Sequence, residues 1–261
     1  KFRGAMNACL RATEEERMPG AGVITFSSGN HGQAVALAAR TLGIEATIVV
    51  PEDIPAVKKA AIEGYGARLE IAGLTSTDRH RRALEISGEN GSLIIPPFDH
   101  PDVIAGQGTT GLEIIDELPE ADAILVPTGG GGLLAGVAIA LSHRNPSTRV
   151  IGVEPADANA MALSVAAREL VSLQEVPGTI ADGLKPMAPG KLTLEATLEH
   201  VDQVLLVDDD SILQAQRLLL ERAKLLVEPS GAAGVAALLG CDELAGLRVV
   251  IILTGGNTDL P

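Results

Sequence analysis

Four consecutive glycines, Gly129–Gly132, interrupt an apolar run (Ile124-Leu125-Val126-Pro127-Thr128) just before an alanine- and leucine-rich run that extends to about His143. The pattern reads as strand, tight turn and helix. Glycines let a backbone reach positive φ and come close to a ligand. Several N–H groups then point at one place, beside the unpaired N–H groups and positive dipole of the following helix. A phosphate is the group such a turn suits. The turn is not a nucleotide P-loop, because no Lys-Ser/Thr pair closes it. The dinucleotide pattern of three spaced glycines fits poorly, although Glu154 ends the next strand and keeps that alternative open. A merely flexible loop is the other reading, and the strand-to-helix junction argues against it.

A second turn, Ser27-Ser28-Gly29-Asn30-His31-Gly32-Gln33, gathers hydroxyls, an amide and an imidazole between another strand and helix. Ser28 or Asn30 would cap that helix. Capping needs one polar residue, whereas five of these seven are polar, so the turn also presents groups to a ligand. Thr254-Gly255-Gly256-Asn257 follows the last apolar strand, and Glu228-Pro229-Ser230-Gly231 opens a helix. Each has a plain structural reading as a turn or a helix entry. His80, His143 and His200 lie among solvated charges, and Asp208–Asp210 reads as a helix start.

The elements that must position these turns alternate. Helices are expected at Arg3–Glu16, Ala34–Leu42, Pro55–Glu63, Thr77–Ile86, Val103–Glu117, Ala158–Leu170, Ser211–Leu226 and Ser230–Leu239. Strands are expected at Gly22–Phe26, Ala46–Val50, Arg68–Ile71, Leu93–Ile95, Ile124–Pro127, Val150–Glu154, Val204–Val207 and Arg248–Leu253. Strand-helix alternation predicts an α/β protein with parallel sheets and right-handed crossovers. Two domains are expected, a small one over 22–97 and a large one formed by 1–21 and 98–261. Gly106, Gly108 and Gly111 in one helical run suggest close packing against the sheet or a ligand. Thr179–Lys185 falls in a long loop region, where function concentrates.

The 261 residues, 46% of them hydrophobic, suffice for a substantial core. A net charge of −14 argues against nucleic acid and against an anionic membrane surface as partner. No apolar stretch is long enough for a membrane helix. Two cysteines, Cys9 and Cys241, make no disulfide framework and fit a reducing, cytoplasmic setting. The first residue is Lys and a helical run follows at once, so an upstream strand and helix are expected.

Taken together, seven motifs resemble one known family in their order along the chain. They are Lys1-Phe2-Arg3-Gly4-Ala5, Ser28-Gly29-Asn30-His31-Gly32-Gln33, Ala105-Gly106-Gln107-Gly108-Thr109, Gly129–Gly132, Ala181-Asp182-Gly183, Glu228-Pro229 and Thr254-Gly255-Gly256-Asn257. The chain is similar to the pyridoxal-phosphate enzymes of fold type II, in the threonine/serine dehydratase and serine racemase branch. The resemblance implies two domains, each an open, mostly parallel twisted sheet flanked by helices, as in a tryptophan synthase β-like fold. It implies that Lys1 forms the Schiff base with pyridoxal 5'-phosphate and, once freed, takes the substrate's Cα proton, with Phe2 beside it in the cofactor site. Asn30 would bond the cofactor's phenolic oxygen, Gly129, Gly130, Gly131 and Gly132 would hold its phosphate, and Gly183 and Glu228 would lie by the ring. Thr254 would face the pyridine nitrogen, and Phe98 would pack on the cofactor. Ser27, Ser28, Gly29, Asn30 and His31 would bind the substrate carboxylate. Ser28 stands where racemases of the branch place an acid/base on the opposite face.

The implied reaction is loss of water from L-threonine or L-serine to give a 2-oxo acid and ammonia. The alternatives are racemisation and dehydration of another β-hydroxy amino acid, such as hydroxyaspartate or phenylserine. A β-replacement synthase and a non-catalytic nucleotide-binding protein are the readings from other classes. Family members that hold Mg2+ or Ca2+ use the Glu of a Glu-Pro pair and a later acid. Glu154 and Ala158 are the candidate positions here, but Ala160 replaces the later acid, leaving Asp157 and Asn159 as substitutes. The family also implies a homodimer or homotetramer.

Overall fold

Strands and helices alternate along the whole chain, and the two sheets they build share one topology. The computed structural model describes every residue except Pro19, Ser28, Pro55, Thr75 and 259–261, and every side chain of the rest except those of Val57 and Ser76. The chain divides into two compact units, Lys1–Gly106 and Gln107–Pro261. The sequence placed residues 1–21 with the second domain, whereas this division groups them with the first.

The first unit runs α1 (Phe2–Glu14), β1 (Val23–Thr25), α2 (Asn30–Leu42), β2 (Ala46–Val50), α3 (Ala56–Gly64), β3 (Arg68–Ile71), α4 (Ser76–Asn90) and β4 (Leu93–Ile94). Its sheet has the order β3-β2-β1-β4, with every pairing parallel. The central strands β1 and β2 are almost wholly buried Val, Ile, Ala and Thr, as a sheet covered on both faces requires. Ala5, Ala8 and Cys9 of α1 pack with Ala34, Val35, Ala38 and Ala39 of α2 over one face. Ala83 and Ile86 of α4 cover Ile24 and Val49 on the other. The alanines bring α1 and α2 close together.

Helix α5 (Pro101–Glu117) contains the division between the units. In the first unit a Cβ on Gly106 would lie 2.5 Å from the Arg3 carbonyl oxygen. In the second, a Cβ on Gly108 would lie 2.9 Å from the carbonyl oxygen of Gly136. These glycines serve helix-on-helix packing, not contact with a strand.

The second unit continues with β5 (Ala123–Pro127), α6 (Gly132–Arg144), β6 (Arg149–Pro155), α7 (Ala160–Ala167), α8 (Lys191–His200), β7 (Gln203–Val207), α9 (Asp209–Leu218), α10 (Pro229–Gly240) and β8 (Val249–Ile251). Its sheet order is β7-β6-β5-β8, again all parallel. Leu134, Val137 and Leu141 of α6 cover one face, and Ile212, Ala215, Ala232, Ala233 and Ala236 of α9 and α10 cover the other. Among the described residues no helix is long and apolar enough to cross a membrane.

In each sheet the chain leaves a central strand toward one edge and later returns on its other side. Ligands of open α/β sheets bind beyond the carboxyl ends of strands at that reversal. Phe26, Ser27, Gly29 and residues 95–98 lie there in the first sheet, and residues 128–131 and 252–257 in the second.

Candidate active site

In the first unit α2 starts at Asn30, four residues earlier than its apolar pattern predicts, and Gly29 is its N-cap. Gly29 has no side chain to cap with, so the expected cap by Asn30 is not formed. Ser28, the other capping candidate and the expected acid/base, lies outside the described residues. Gly32 lets α2 lie on the preceding turn, since a Cβ there would sit 1.8 Å from the Ser27 carbonyl oxygen. His31 is buried and bonds the Ile95 carbonyl oxygen through Nε2 at 2.9 Å. Burial, with the Lys1 charge nearby, presses its pKa down to about 3, so the ring is neutral.

Lys1 sits at the head of α1. Its Nζ donates to the Pro97 carbonyl oxygen at 2.8 Å and lies 6.0 Å from the Phe98 ring centre. The residue is reachable by solvent, yet surrounding protein displaces hydration from the amine and lowers its pKa from 10.5 to about 8. At pH 8 roughly half of such amines are unprotonated, against well under 1% for an ordinary lysine. Phe2 is 42% exposed. The Pro97 carbonyl escaped sequence reasoning, because a main-chain oxygen leaves no mark in residue types.

In the second unit the glycine turn is held from behind. Gly130 turns its carbonyl toward α8, where it accepts from Thr193 Oγ1 at 2.7 Å and from the Gly190 N–H at 3.4 Å. A trans peptide then points the Gly131 N–H the opposite way. Gly131 has φ +89° and caps α6, and a Cβ on it would lie 2.4 Å from Met161 Cε and 2.9 Å from Thr193 Cβ. Gly129 is crowded less severely, its missing Cβ falling 3.1 Å from both Leu184 Cα and Pro186 Cδ. Thr193 and Met161 are the supports that sequence reasoning missed.

The other candidates of this unit gather around the same turn. A Cβ on Gly129 would lie 3.4 Å from the Gly183 carbonyl oxygen. The Gly183 N–H donates to Ser230 Oγ at 2.9 Å. Glu228 is buried, and its Oε2 accepts the Asn257 N–H at 3.0 Å while its own N–H donates to the Gly255 carbonyl oxygen at 3.1 Å. Gly231 lies so near Thr254 that a Cβ would approach that carbonyl oxygen to 1.8 Å. Three separate motifs, at 181–183, 228–231 and 254–257, are therefore one structural unit with the glycine turn.

Glu154 is fully buried, and its carboxylate accepts N–H groups of Met161 at 3.0 Å and Ala162 at 2.8 Å at the head of α7. Burial outweighs those two donors and raises its pKa from 4.5 to about 7. Ala158 is buried in a short 3-10 turn just before α7. Among the described residues no three His, Cys, Asp or Glu side chains cluster to hold a metal ion.

A phosphate suits the second unit, because the glycine turn leads from β5 into the N-terminus of α6, where helix N–H groups lack partners, and Gly129 and Gly131 have no room for a Cβ. An aldehyde fits the first, because Lys1 offers an amine of lowered pKa. The model of the family described as "Pyridoxal-phosphate dependent enzyme" matches residues 1–255. The chain belongs to this family. Within the pyridoxal-phosphate dependent enzymes it is 46% identical over its full length to the L-threo-3-hydroxyaspartate ammonia-lyase of Saccharomyces cerevisiae, of which it covers 79%. It is 43% identical over its full length to the serine racemase of Schizosaccharomyces pombe, covering 80% of that protein. The crystal structure of the threonine deaminase from T.th. superposes with a TM-score of 0.94 at 41% identity, covering 100% of this chain and 84% of that one. The expected fold is that of the threonine deaminase structure, and the expected cofactor class is the one by which the family is described.

Proposed function

We propose that this pyridoxal-phosphate dependent enzyme is a carbon-nitrogen lyase that removes water from a small β-hydroxy amino acid, L-threonine or L-serine first, giving a 2-oxo acid and ammonia. The observation that carries the reading is the Lys1 amine, held by the Pro97 carbonyl beside Phe98 with a pKa of about 8. An amine so tuned takes a proton from carbon near neutral pH and gives it back. When bound, pyridoxal phosphate supplies a carbonyl carbon for the substrate's amine and a ring that accepts the electron pair left at Cα.

The chain's own residues do the rest. N–H groups of Gly129–Gly132 would hold the phosphate, and Asn30 would bond the phenolic oxygen. Gly183 and Glu228 would border the ring, Thr254 would face its nitrogen, and Lys1 would move the Cα proton. Main-chain N–H groups at the head of α2 take the substrate carboxylate, where the helix dipole favours an anion. The β-hydroxyl leaves as water, and the unsaturated amine hydrolyses to the 2-oxo acid and ammonia. Donation of the Ser28 hydroxyl proton to Cα from the other face, with Lys1 holding the proton it took, would instead invert Cα. That second reading is favoured by the 43% identity to a protein named serine racemase. The 46% identity to a hydroxyaspartate ammonia-lyase adds L-threo-3-hydroxyaspartate to the substrates to be tried. A homodimer or homotetramer in the cytoplasm completes the proposal.

The test offers the purified protein L-threonine, L-serine and L-threo-3-hydroxyaspartate, and measures 2-oxo acid, ammonia and D-isomer. Oxo acid and ammonia in equal amounts are expected, with Lys1→Ala lowering the rate by about a thousand-fold or more. D-isomer without oxo acid would replace the lyase reading by the racemase one. Unchanged turnover in Lys1→Ala would remove Lys1 from the chemistry.

A further inference from the structure

We infer that His31 is a positioning residue for Lys1, acting through the stiff exit of β4 rather than by touching the substrate. The inference rests on the reading of Lys1 as the reacting amine. Two bonds define the path. His31 Nε2 meets the Ile95 carbonyl oxygen at 2.9 Å, and Lys1 Nζ meets the Pro97 carbonyl oxygen at 2.8 Å. A carbonyl only accepts, so Nε2 carries the imidazole's proton. Ile95 is itself fixed, because it is buried and its N–H donates to the Ile24 carbonyl oxygen at 2.9 Å. Between the two carbonyls stand Pro96 and Pro97. Their rings lock φ and restrict the residue before each of them. Wherever His31 holds the Ile95 carbonyl, the Pro97 carbonyl follows with little slack.

A second observation argues against a plain packing role. His31 Nδ1 is buried and has no hydrogen-bond partner among the described residues. An apolar side chain would fill that space without stranding an acceptor. The imidazole is retained for its one N–H, and that N–H is spent on Ile95. The ring therefore has no donor left for a carboxylate, and only the main chain of His31 serves an anion. Its neutrality keeps Nδ1 from becoming a second donor across the working pH range. Burial and the neighbouring Lys1 charge both oppose a second proton.

The experiment uses the full chain free of cofactor and reads the Lys1 ε-amine by trace acetylation with acetic anhydride, located by mass spectrometry. Three variants are compared with the parent. His31→Phe keeps the volume and loses the donor, His31→Gln keeps a donor, and Pro96→Gly leaves His31 intact but loosens the path. In His31→Phe and Pro96→Gly the amine is expected to leave the Pro97 carbonyl for solvent, where regained hydration raises its pKa by more than the lost acceptor lowers it. A one-unit rise lowers Lys1 labelling at pH 8 by about five-fold. His31→Gln is expected within about two-fold of the parent, its pKa shift being a fraction of a unit. In the loaded enzyme the same two variants lower kcat more than they raise KM. Parent-like labelling of Lys1 in His31→Phe or in Pro96→Gly overturns the inference. Equal losses in the Phe and Gln variants overturn it too, because shape and not the donor would then matter. Should His31→Phe fail to fold, Pro96→Gly decides alone. Turnover surviving in Lys1→Ala would sink the catalytic reading of Lys1 and leave the labelling result standing, so the two failures are distinguishable.

Discussion

The turn after β1 and the turn after β5 occupy the same place in the same topology, yet they are made of opposite materials. In the order β3-β2-β1-β4 the first turn carries Ser27, Asn30 and His31, and the neighbouring strand exit carries Pro97 and Phe98. In the order β7-β6-β5-β8 the second turn carries no side chain at all over Gly129–Gly132. The first works through groups that donate, accept or move protons. The second works through main-chain N–H groups, and its specificity lies in what stands behind it. Thr193, Met161 and α7 fix where those N–H groups point. One topology thus supports reactive chemistry in one unit and anion holding in the other.

The comparison breaks most readily at Gly131. Its φ of +89° and the 2.4 Å approach of Met161 Cε leave no room for a Cβ. Gly131→Ala is expected to weaken pyridoxal phosphate binding by about 100-fold or more, since both backbone strain and overpacking cost kcal/mol amounts. Equilibrium dialysis against the cofactor measures it. At the matching place in the first unit, Gly29 has negative φ and a Cβ on it would meet nothing within 4 Å, so Gly29→Ala should change thermal stability by less than about 1 kcal/mol. Equal damage from the two substitutions would dissolve the contrast.

A smaller effect is expected behind the turn. Thr193→Val keeps the shape beside Met161 and removes the donor to the Gly130 carbonyl. One such bond is worth about 1 kcal/mol, which corresponds to roughly five-fold weaker cofactor binding. An unchanged dissociation constant would show that the Gly190 N–H alone fixes that peptide.

The turns were legible in the sequence because each one ends a buried strand and changes the composition abruptly. Their supports were not. Helix α8 escaped notice because two of its four buried positions are Thr193 and Thr197, which break the apolar period. The helix read as Ser211–Leu226 stops as an α-helix at Leu218, passes through a π-turn at Leu219–Ala223 and ends with Lys224 at φ +59°. Leucine-rich composition continues past that point, but Gln216 Nε2 bonds the Val227 carbonyl oxygen and ties the following segment back. Helix α7 is likewise shorter than its alanines suggest, and ends at Arg168 with φ +57°. Local propensity marks where helices can form, and long-range hydrogen bonds decide where they stop. The glycine turn was readable as a phosphate site, whereas the Lys1–Pro97 contact joins residues 96 positions apart and has no local signature.

Glu154 gives the comparison its finest test, because it places a titrating group behind the turn that has no side chains. Its carboxylate holds the head of α7 through Met161 and Ala162, and Met161 is the residue that crowds Gly131. Burial raises the folded pKa to about 7, from an ordinary 4.5. The folded state therefore binds this proton more tightly than the unfolded chain does. Between pH 4.5 and 7 the unfolded chain releases it first, so this group's contribution to stability is full below about pH 4.5 and fades as pH rises through 7. The size is on the order of 1–3 kcal/mol for a shift of this kind. Glu154→Gln, which cannot titrate, should flatten the fall in unfolding free energy between about pH 5 and about pH 7.5 relative to the parent. It should also be less stable at the upper pH if the two helix N–H groups need an anion, because an amide meets only one of them with oxygen. Urea unfolding at both pH values separates these effects. A parent-like slope in the variant would assign the pH dependence elsewhere and leave the second turn as purely main-chain as its sequence looks.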